Sequence, residues 1–236
     1  MRPQTAVNVL GSAVLAVILG WGVLSWGLRD DKAGASMDGV GTSTVVFLGD
    51  SLTEGLALAR TEAYPALIAE RLQAAKLPFR VVNAGVSGDT AADGLARSSA
   101  VLNSEVALLM VAFGANDLPR GVPAQECRKN MQEIIDRARA ASPGVKIVVS
   151  GVDLPQHRGL AGWAEYQEMY RDLAEQNNAL LIVNLLEGVA GRPDLNFPDL
   201  LHPNAQGHEI MAGKIWEALQ PLLVPAPRVA AHETAR

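Results

Sequence analysis

Short apolar runs alternate with longer segments of helical periodicity from residue 44 to residue 223. The runs are rich in Val, Ile and Leu, and they cover residues 44–48, 79–82, 106–112, 145–149 and 179–185. Nearly continuous apolar runs of this length are typical of strands that are buried on both faces of a sheet. The pattern therefore predicts five buried strands.

Between these runs, apolar residues recur at helical spacing, as Leu67, Ile68 and Leu72 do. This periodicity predicts helices over residues 64–76, 124–141, 163–176 and 204–222. Strands that alternate with helices form a parallel sheet with helices on both of its faces. We therefore predict a flavodoxin-like, three-layer α/β/α domain with a five-stranded parallel sheet.

The segment before this domain has a different pattern, because residues 6–28 contain no charged side chain. As a helix, this run would cross the ~30 Å hydrocarbon core of a membrane. It is also longer than the about 7–15-residue core of a cleavable signal peptide. Its length favours a retained anchor helix in the inner membrane, with the domain on the periplasmic or extracytoplasmic side. The small residues Ala33, Gly34 and Ala35 resemble a cleavage site and leave a secreted form open.

These features divide the chain into four predicted parts. Residues 1–29 form the anchor or signal segment, and residues 30–43 form a linker rich in Gly, Ala, Ser and Asp. The folded domain covers residues 44–223, and a disordered tail covers residues 224–236. We therefore expect a membrane contact through the N-terminal segment alone.

Composition excludes several classes of function. The net charge is −5, and Lys and Arg form no basic stripe, so we predict no nucleic-acid partner. Cys127 is the only cysteine, which excludes an intrachain disulfide and a thiolate metal cluster. We interpret Cys127 as a half-buried structural thiol on a helix.

Polar residues follow each of the five predicted strands. In a doubly wound sheet, these positions share the carboxyl edge, where such folds bind their ligands. The side chains that follow the strands include hydroxyl, amide, carboxylate and imidazole groups, and they are Asp50, Ser51, Ser87, Asp89, Asn116, Asp153, Asp199 and His202. Helix packing alone does not predict this distribution.

These residue types are the ones that acyl transfer requires. Ser51 is a weak nucleophile unless a base removes its proton, and His202 has a side chain suited to that role. A carboxylate on the other ring nitrogen fixes the tautomer and stabilises the charged imidazole. Asp199 precedes His202 by three residues and would reach it across one turn. Asp194 is the alternative carboxylate, but its longer connection constrains it less.

An oxyanion hole would complete the site. The candidate donors are the Ser51 amide, the Gly88 amide and the Asn116 side chain, and each such donor is worth about 2.7–4 kcal/mol in a well-studied protease. Gly88 suits this role because a residue without a Cβ lets the backbone approach a ligand closely.

The remaining polar residues receive structural interpretations. Asp50 is predicted to hold the turn before Ser51 by accepting backbone donors. We interpret His157 as part of a solvated loop, with a place in the pocket wall as the alternative, and His208 as a surface or packing residue. The substrate pocket is predicted to include Asp153, Leu154 and Pro155.

Four blocks in this order resemble those of the SGNH, or GDSL-type, hydrolases. They are Gly49-Asp50-Ser51-Leu52, Ser87-Gly88-Asp89-Thr90, Gly114-Ala115-Asn116-Asp117 and Asp199-Leu200-Leu201-His202-Pro203. The Ser-Gly-Asp-Thr block, Gly94-Leu95-Ala96-Arg97 and the Leu154-Pro155 turn are similar to those of the bacterial periplasmic thioesterase, lysophospholipase and arylesterase subgroup. The resemblance implies a flavodoxin-like sheet, no metal or other cofactor, a triad of Ser51, Asp199 and His202, and an oxyanion hole from Ser51, Gly88 and Asn116.

The sequence thus predicts a serine esterase or thioesterase that forms an acyl-enzyme. The resemblance implies small acyl substrates, which are aryl esters, acyl thioesters or lysophospholipids. A carbohydrate O-deacetylase of the same family is one alternative, although the aromatic content of 5% provides few platforms for stacking sugars. A membrane-tethered binding protein without catalysis is an alternative from another class.

Overall fold

The computed structural model of the protein describes residues 43–224. The predicted anchor, nearly all of the predicted linker and most of the predicted tail lie outside these residues. Within residues 43–224, no helix combines the length and hydropathy that crossing a membrane requires. The structural description below therefore concerns the predicted globular domain.

Five parallel strands form one sheet in the order β2-β1-β3-β4-β5. They are β1 (Ser43–Gly49), β2 (Phe79–Gly85), β3 (Val106–Ala112), β4 (Lys146–Ser150) and β5 (Leu180–Ile182). This is the predicted flavodoxin-like order, in which the chain passes from one side of β1 to the other after β2. Gly49 lies opposite both Gly85 and Ala112, so β1, β2 and β3 end at the same level.

Within residues 43–224, six α-helices accompany the sheet. They are α1 (Ser51–Glu54), α2 (Tyr64–Ala74), α3 (Ala91–Arg97), α4 (Ala124–Ala141), α5 (Trp163–Gln176) and α6 (Ala205–Leu223). Short 3-10 turns occur at Ser98–Ala100, Leu118–Arg120 and Pro155–His157. Each of the four predicted helices is present, with ends within two residues of the prediction.

The sheet is buried on both faces, and β1 shows how. Val46 and Leu48 pack into one core together with residues of α4 and α5. Val45 and Phe47 point the other way and pack with residues of α2 and α6. Successive side chains of a strand point to opposite faces, so a continuous apolar run is what a sheet between two helical layers requires.

Besides the short helix α1, which was not among the four predicted helices, the structure departs from the predicted elements at three places. β2 continues three residues beyond the predicted end at residue 82. β5 contains only three residues, because the chain leaves the sheet before Val183, whose exposed fraction is 61%. Helix α3 was not predicted, although Thr90 and Asp93 form a capping box at its start.

The cysteine prediction was wrong in one respect. Cys127 lies on α4 as predicted, but it is fully buried rather than half-buried. Burial raises the pKa of its thiol well above the ordinary value. A buried thiol with a raised pKa is a packing residue and not a reactive one.

Candidate active site

Ser51 occupies the first position of α1, directly after the end of β1. Asp50 caps this helix, and its Oδ1 accepts a hydrogen bond of 3.0 Å from the Leu52 amide, as the sequence predicted. Burial raises the pKa of Asp50 to about 7. Helix α1 also packs closely against the end of β2. A Cβ added to Gly85 would lie only 2.1 Å from the Glu54 backbone nitrogen, so only glycine fits there. The ends of two strands therefore fix the position of the Ser51 backbone.

His202 and Asp199 form a hydrogen-bonded line with Ser51. The Ser51 Oγ lies 3.0 Å from the His202 Nε2, and the His202 Nδ1 lies 2.7 Å from the Asp199 Oδ2. The other carboxylate oxygen, Oδ1, accepts from the Leu201 and His202 amides at 2.9 and 3.0 Å. Partial burial would raise the pKa of Asp199, but these hydrogen bonds lower it below its ordinary value. Asp199 is therefore ionised at neutral pH.

A closed loop holds this acid–base pair. Asn196 and Pro203 form an isolated antiparallel bridge, and within it the Phe197 amide donates to the His202 carbonyl oxygen at 2.8 Å. Beyond the loop, Asn204 caps α6 and accepts from the Gly207 amide at 3.0 Å. The loop thus sets the geometry of Asp199 and His202 locally and connects it to the start of a long helix.

The three predicted oxyanion donors are adjacent. The Asn116 Nδ2 donates to the Asp89 carbonyl oxygen at 3.0 Å, next to Gly88 in the chain. It also lies 3.4 Å from the Asp50 Oδ2, next to Ser51. Gly88 has a φ of +87°, a conformation that favours glycine. Within residues 43–224, neither the Ser51 amide nor the Gly88 amide donates to another group, so both are available to a ligand.

Sequence reasoning named Arg97 only as part of a family block and missed its role, which is to hold the ends of β1 and β2 together. Its guanidinium donates to the Asp89 carboxylate at 2.6 Å and to the carbonyl oxygens of Ala84 and Gly49 at 2.7 and 2.9 Å. Arg97 is the last residue of α3, so the capping box at Thr90 is the sequence signal that would have placed it. Its contacts join β1, β2 and the Gly88 loop.

Two other carboxylates named from the sequence, the alternative triad member Asp194 and the predicted pocket residue Asp153, are hydrogen-bonded to arginines. Asp194 pairs with Arg192 at 2.5 Å on the surface, and within residues 43–224 its carboxylate has no hydrogen bond to His202. Asp153 is held by Arg158, with hydrogen bonds of 2.7 and 3.0 Å, and by the Trp163 indole at 3.3 Å. These partners lower the pKa of Asp153, with the hydrogen bonds from Arg158 as the largest lowering effect.

The other predicted pocket residues differ in exposure. Leu154 is fully buried in the core, whereas Pro155 is exposed. His157 is also buried, so the prediction of a solvated histidine was wrong. It lies on the 3-10 turn Pro155–His157, which folds its ring against the protein. On this turn Pro155 and Gln156 are exposed, and of the three predicted pocket residues Pro155 is the exposed one.

His208 is a packing residue, one of the two roles considered from the sequence. Its Nδ1 accepts a hydrogen bond of 3.0 Å from the Tyr64 amide, and its ring stacks on the Tyr64 ring at 6.1 Å. Burial lowers the pKa of His208 to about 4. The side chain is therefore neutral at pH 7 and joins α6 to α2.

Comparisons with known proteins identify the family of the chain. The model of the GDSL-like lipase/acylhydrolase family matches residues 47–210, which include every residue of the site. The chain belongs to this family. It is an SGNH/GDSL hydrolase, an enzyme that cleaves carboxylic esters or thioesters, and the resemblance drawn from the four sequence blocks is confirmed.

Similar proteins are known from bacteria. Esterase TesA of Pseudomonas aeruginosa is 34% identical over 76% of this chain and 89% of its own length. Thioesterase 1/protease 1/lysophospholipase L1 of Escherichia coli K12 is 30% identical over 76% of this chain and 85% of its own length. A crystal structure of TesA, 34% identical, superposes with a TM-score of 0.72 over 77% of this chain and 100% of that chain.

Proposed function

We propose that the protein hydrolyses small acyl esters and thioesters through an acyl-enzyme formed on Ser51. The observation that carries this proposal is the pair of hydrogen bonds, 3.0 Å from Ser51 to His202 and 2.7 Å from His202 to Asp199. A nucleophile within hydrogen-bond reach of a base, itself oriented by a third group, is the arrangement that nucleophilic catalysis requires.

Acylation begins when Ser51 Oγ attacks the carbonyl carbon of the substrate. The proton of the hydroxyl passes to His202 Nε2 along the hydrogen bond between these two atoms. The ionised Asp199 accepts the hydrogen of Nδ1, keeps Nε2 free as an acceptor, and stabilises the imidazolium that forms. When the tetrahedral intermediate collapses, Nε2 returns the proton to the leaving alcohol or thiol.

Deacylation repeats these steps with water in place of the serine. His202 removes a proton from a water molecule as it attacks the acyl-enzyme, and it then protonates the Ser51 Oγ as the acid leaves. Both steps pass through an oxyanion. We assign its stabilisation to the amides of Ser51 and Gly88 and to the Asn116 Nδ2, the three adjacent donors at the ends of β1, β2 and β3.

Apolar surface near the site supports an acyl substrate. Leu56, Val86 and Leu200 are exposed large apolar residues, with exposed fractions of 38%, 41% and 38%. Leu56 follows α1, Val86 follows β2, and Leu200 follows Asp199. The names of similar proteins, an esterase, a thioesterase/lysophospholipase and an arylesterase of Vibrio mimicus, add aryl esters, acyl thioesters and lysophospholipids as the substrates to test.

The test compares substrates and one decisive variant. Wild type, Ser51→Ala and Ser142→Ala are assayed with nitrophenyl esters of increasing chain length, an acyl-CoA, a lysophospholipid and an acetylated sugar. Ser142 is the matched control because it ends α4, at the opposite edge of the sheet. We expect wild type and Ser142→Ala to cleave esters or thioesters and Ser51→Ala to be inactive.

Two outcomes would contradict the proposal. Full activity of Ser51→Ala would exclude Ser51 as the nucleophile, and cleavage of the acetylated sugar alone would favour a deacetylase. Covalent labelling by a fluorophosphonate provides an independent readout, because mass spectrometry should locate the adduct on Ser51 in wild type.

We also propose that the hydrolase acts outside the cytoplasm, tethered by residues 1–29. The uncharged run from residue 6 to residue 28 supports this location. N-terminal sequencing of the membrane fraction tests it. A mature protein that begins after residue 35 would show cleavage instead of a retained anchor.

A further inference from the structure

The loop between β2 and α3 leaves one of its amides without a protein partner. The Val86 amide donates to the Gly49 carbonyl oxygen at 3.1 Å, and the Asp89 amide donates to the Val86 carbonyl oxygen at 3.2 Å. The Ser87 amide donates to the Glu54 Oε2 at 2.7 Å. Among residues 86–89, the Gly88 amide has no acceptor within the described residues 43–224. The amides of Val86, Ser87 and Asp89 are thus hydrogen-bonded within the protein, and the Gly88 amide is the one in this loop that can donate to an oxyanion.

Glu54 holds the residue immediately before Gly88 at two points. Its Oε2 accepts from both the amide and the hydroxyl of Ser87. Its backbone carbonyl oxygen accepts from the Asn83 side chain at 3.2 Å, near the end of β2. Glu54 is also the last residue of α1, the four-residue helix that begins with Ser51. One residue therefore connects the helix of the proposed nucleophile to the loop of the proposed oxyanion donor.

We propose that Glu54 is a positioning residue that sets the orientation of the Gly88 amide, acting through Ser87. The proposal rests on the function proposed above, in which the Gly88 amide stabilises the oxyanion. The Gly88 N–H belongs to the peptide group that joins Ser87 to Gly88, so fixing Ser87 fixes one end of that group.

The orientation of the Gly88 amide needs support from neighbouring residues, because a glycine backbone can adopt many conformations. Glycine adopts positive and negative φ with similar ease, so the +87° of Gly88 is not enforced by the residue itself. Its neighbours are held instead, Ser87 by Glu54 and Asp89 by Arg97 at 2.6 Å. An oxyanion donor contributes to catalysis only when it is oriented before the charge develops.

The exposure of Glu54 determines where the effect should be measured. Its side chain is exposed, so its hydrogen bonds contribute little to the stability of the fold. A carboxylate acceptor nevertheless makes shorter and stronger hydrogen bonds than a neutral group does. We therefore expect the loss of Glu54 to change the rate of the chemical step and to leave the melting temperature nearly unchanged.

The experiment compares two substitutions of similar size. Glu54→Met removes both acceptor oxygens and keeps the length and helix propensity of the side chain. Glu54→Gln removes the charge and keeps one acceptor oxygen. The matched control is Glu62→Met, because Glu62 is also exposed and accepts from a backbone amide, that of Ala59, at 2.9 Å, but in the loop before α2.

With nitrophenyl acetate, we expect Glu54→Met to lower kcat and kcat/KM equally, by about tenfold, less than the 10²–10³ that follows removal of a whole donor. KM should stay within about twofold of wild type. Glu54→Gln should recover most of the lost kcat. Ser87→Ala keeps the hydrogen bond from the backbone amide of residue 87 to Glu54, and its kcat should fall about threefold. Glu62→Met should behave as wild type.

Three outcomes would overturn the proposal. They are a Glu54→Met enzyme with wild-type kcat, a loss confined to KM, or a loss that Glu54→Gln does not recover. The same assay includes Ser51→Ala and Asn116→Ala. If these two variants are impaired while Glu54→Met is not, the positioning role fails and the proposed mechanism stands. If Ser51→Ala keeps its activity, the proposed mechanism itself fails.

Discussion

The two halves of the proposed active site are held in different ways. Ser51, Gly88 and Asn116 lie within a few residues of the ends of β1, β2 and β3, where the sheet determines their positions. Asp199 and His202 follow β5 only after a long irregular segment, and a local loop determines their geometry. Changes in the loop half should therefore affect the base with little effect on folding, whereas changes in the sheet half should affect both.

The largest effect should come from the loop half. His202→Ala removes the general base, and we expect kcat to fall by roughly 10⁵-fold or more, as the loss of a catalytic histidine does in a well-studied protease. The melting temperature should change little, because His202 lies outside the core.

His208 provides the contrasting control for His202. His208→Ala leaves the buried Tyr64 amide without its acceptor, which costs about 1–3 kcal/mol in the free energy of unfolding. We therefore expect a lower melting temperature and a nearly normal kcat at 25 °C. A kcat for His202→Ala within a hundredfold of wild type would exclude His202 as the base.

Asp199→Asn should have the next largest effect. The amide group of asparagine would turn a donor towards His202 Nδ1 and favour the wrong tautomer. A buried aspartate in this role is worth about 10⁴-fold, and because Asp199 is half-exposed we expect about 10³-fold in kcat. Steady-state kinetics should show no comparable loss for Asp194→Asn, since Asp194 pairs with Arg192 instead. Equal losses in the two variants would contradict the assignment of Asp199.

Asn116→Ala tests the sheet half of the site. The substitution removes one oxyanion donor, so kcat should fall by about 10²–10³-fold with KM within about threefold. Asn103→Ala is the matched control, because the Asn103 side chain accepts from the Glu105 amide before β3, at the other edge of the sheet. A change in KM alone would mean that Asn116 binds the substrate and does not stabilise the oxyanion.

The smallest expected effect is a change in the pH dependence of the free energy of unfolding. It should differ between Asp50 in the sheet half and Asp199 in the loop half. Burial raises the pKa of Asp50 from 3.8 to about 7, so the folded protein retains this proton more strongly than the unfolded chain does. The resulting stabilisation is complete below pH 3.8 and is lost as the pH rises through 7. Asp50→Asn stays uncharged and avoids this loss.

At about 1.4 kcal/mol per pH unit, we expect the free energy of unfolding of Asp50→Asn, relative to wild type, to rise by roughly 2–4 kcal/mol from pH 4.5 to pH 8. Urea unfolding at several pH values measures this difference. Asp199→Asn should show no such rise, because the pKa of Asp199 is lowered and its contribution is lost only under more acidic conditions. A pH-independent difference for Asp50→Asn would contradict the prediction.

Much of the sheet half could be predicted from the sequence. A strand between two helical layers is apolar throughout, so β1 and β3 were visible as uninterrupted runs, and the polar residues after them marked the site. Helix α3 was missed because the residues AADGLAR contain a glycine and little apolar periodicity. The role of Arg97 was missed with it, since that role depends on carbonyl oxygens that only the folded sheet brings together.

The region after β4 was harder to predict. The apolar run at residues 179–185 suggested a long strand, but the chain turns where Asn184 accepts from the Asp153 and Leu186 amides. Such side-chain bonds compete with sheet pairing and leave little trace in the pattern of apolar residues. The burial of His157 likewise depends on a single 3-10 turn. The anchor, the linker and the tail stay predictions.

The bridge between Asn196 and Pro203 has a consequence for how the length of this enzyme can be changed. Because Asp199 and His202 lie inside the closed loop, a change of length at the exposed residues 191–194 would leave the loop, and with it their mutual geometry, intact. An insertion inside the loop would separate them. Engineers who wish to reshape the entrance to the site can therefore alter the exposed residues 191–194, but not the buried Leu185, Leu186 and Val189 before them or the loop from Asn196 to Pro203.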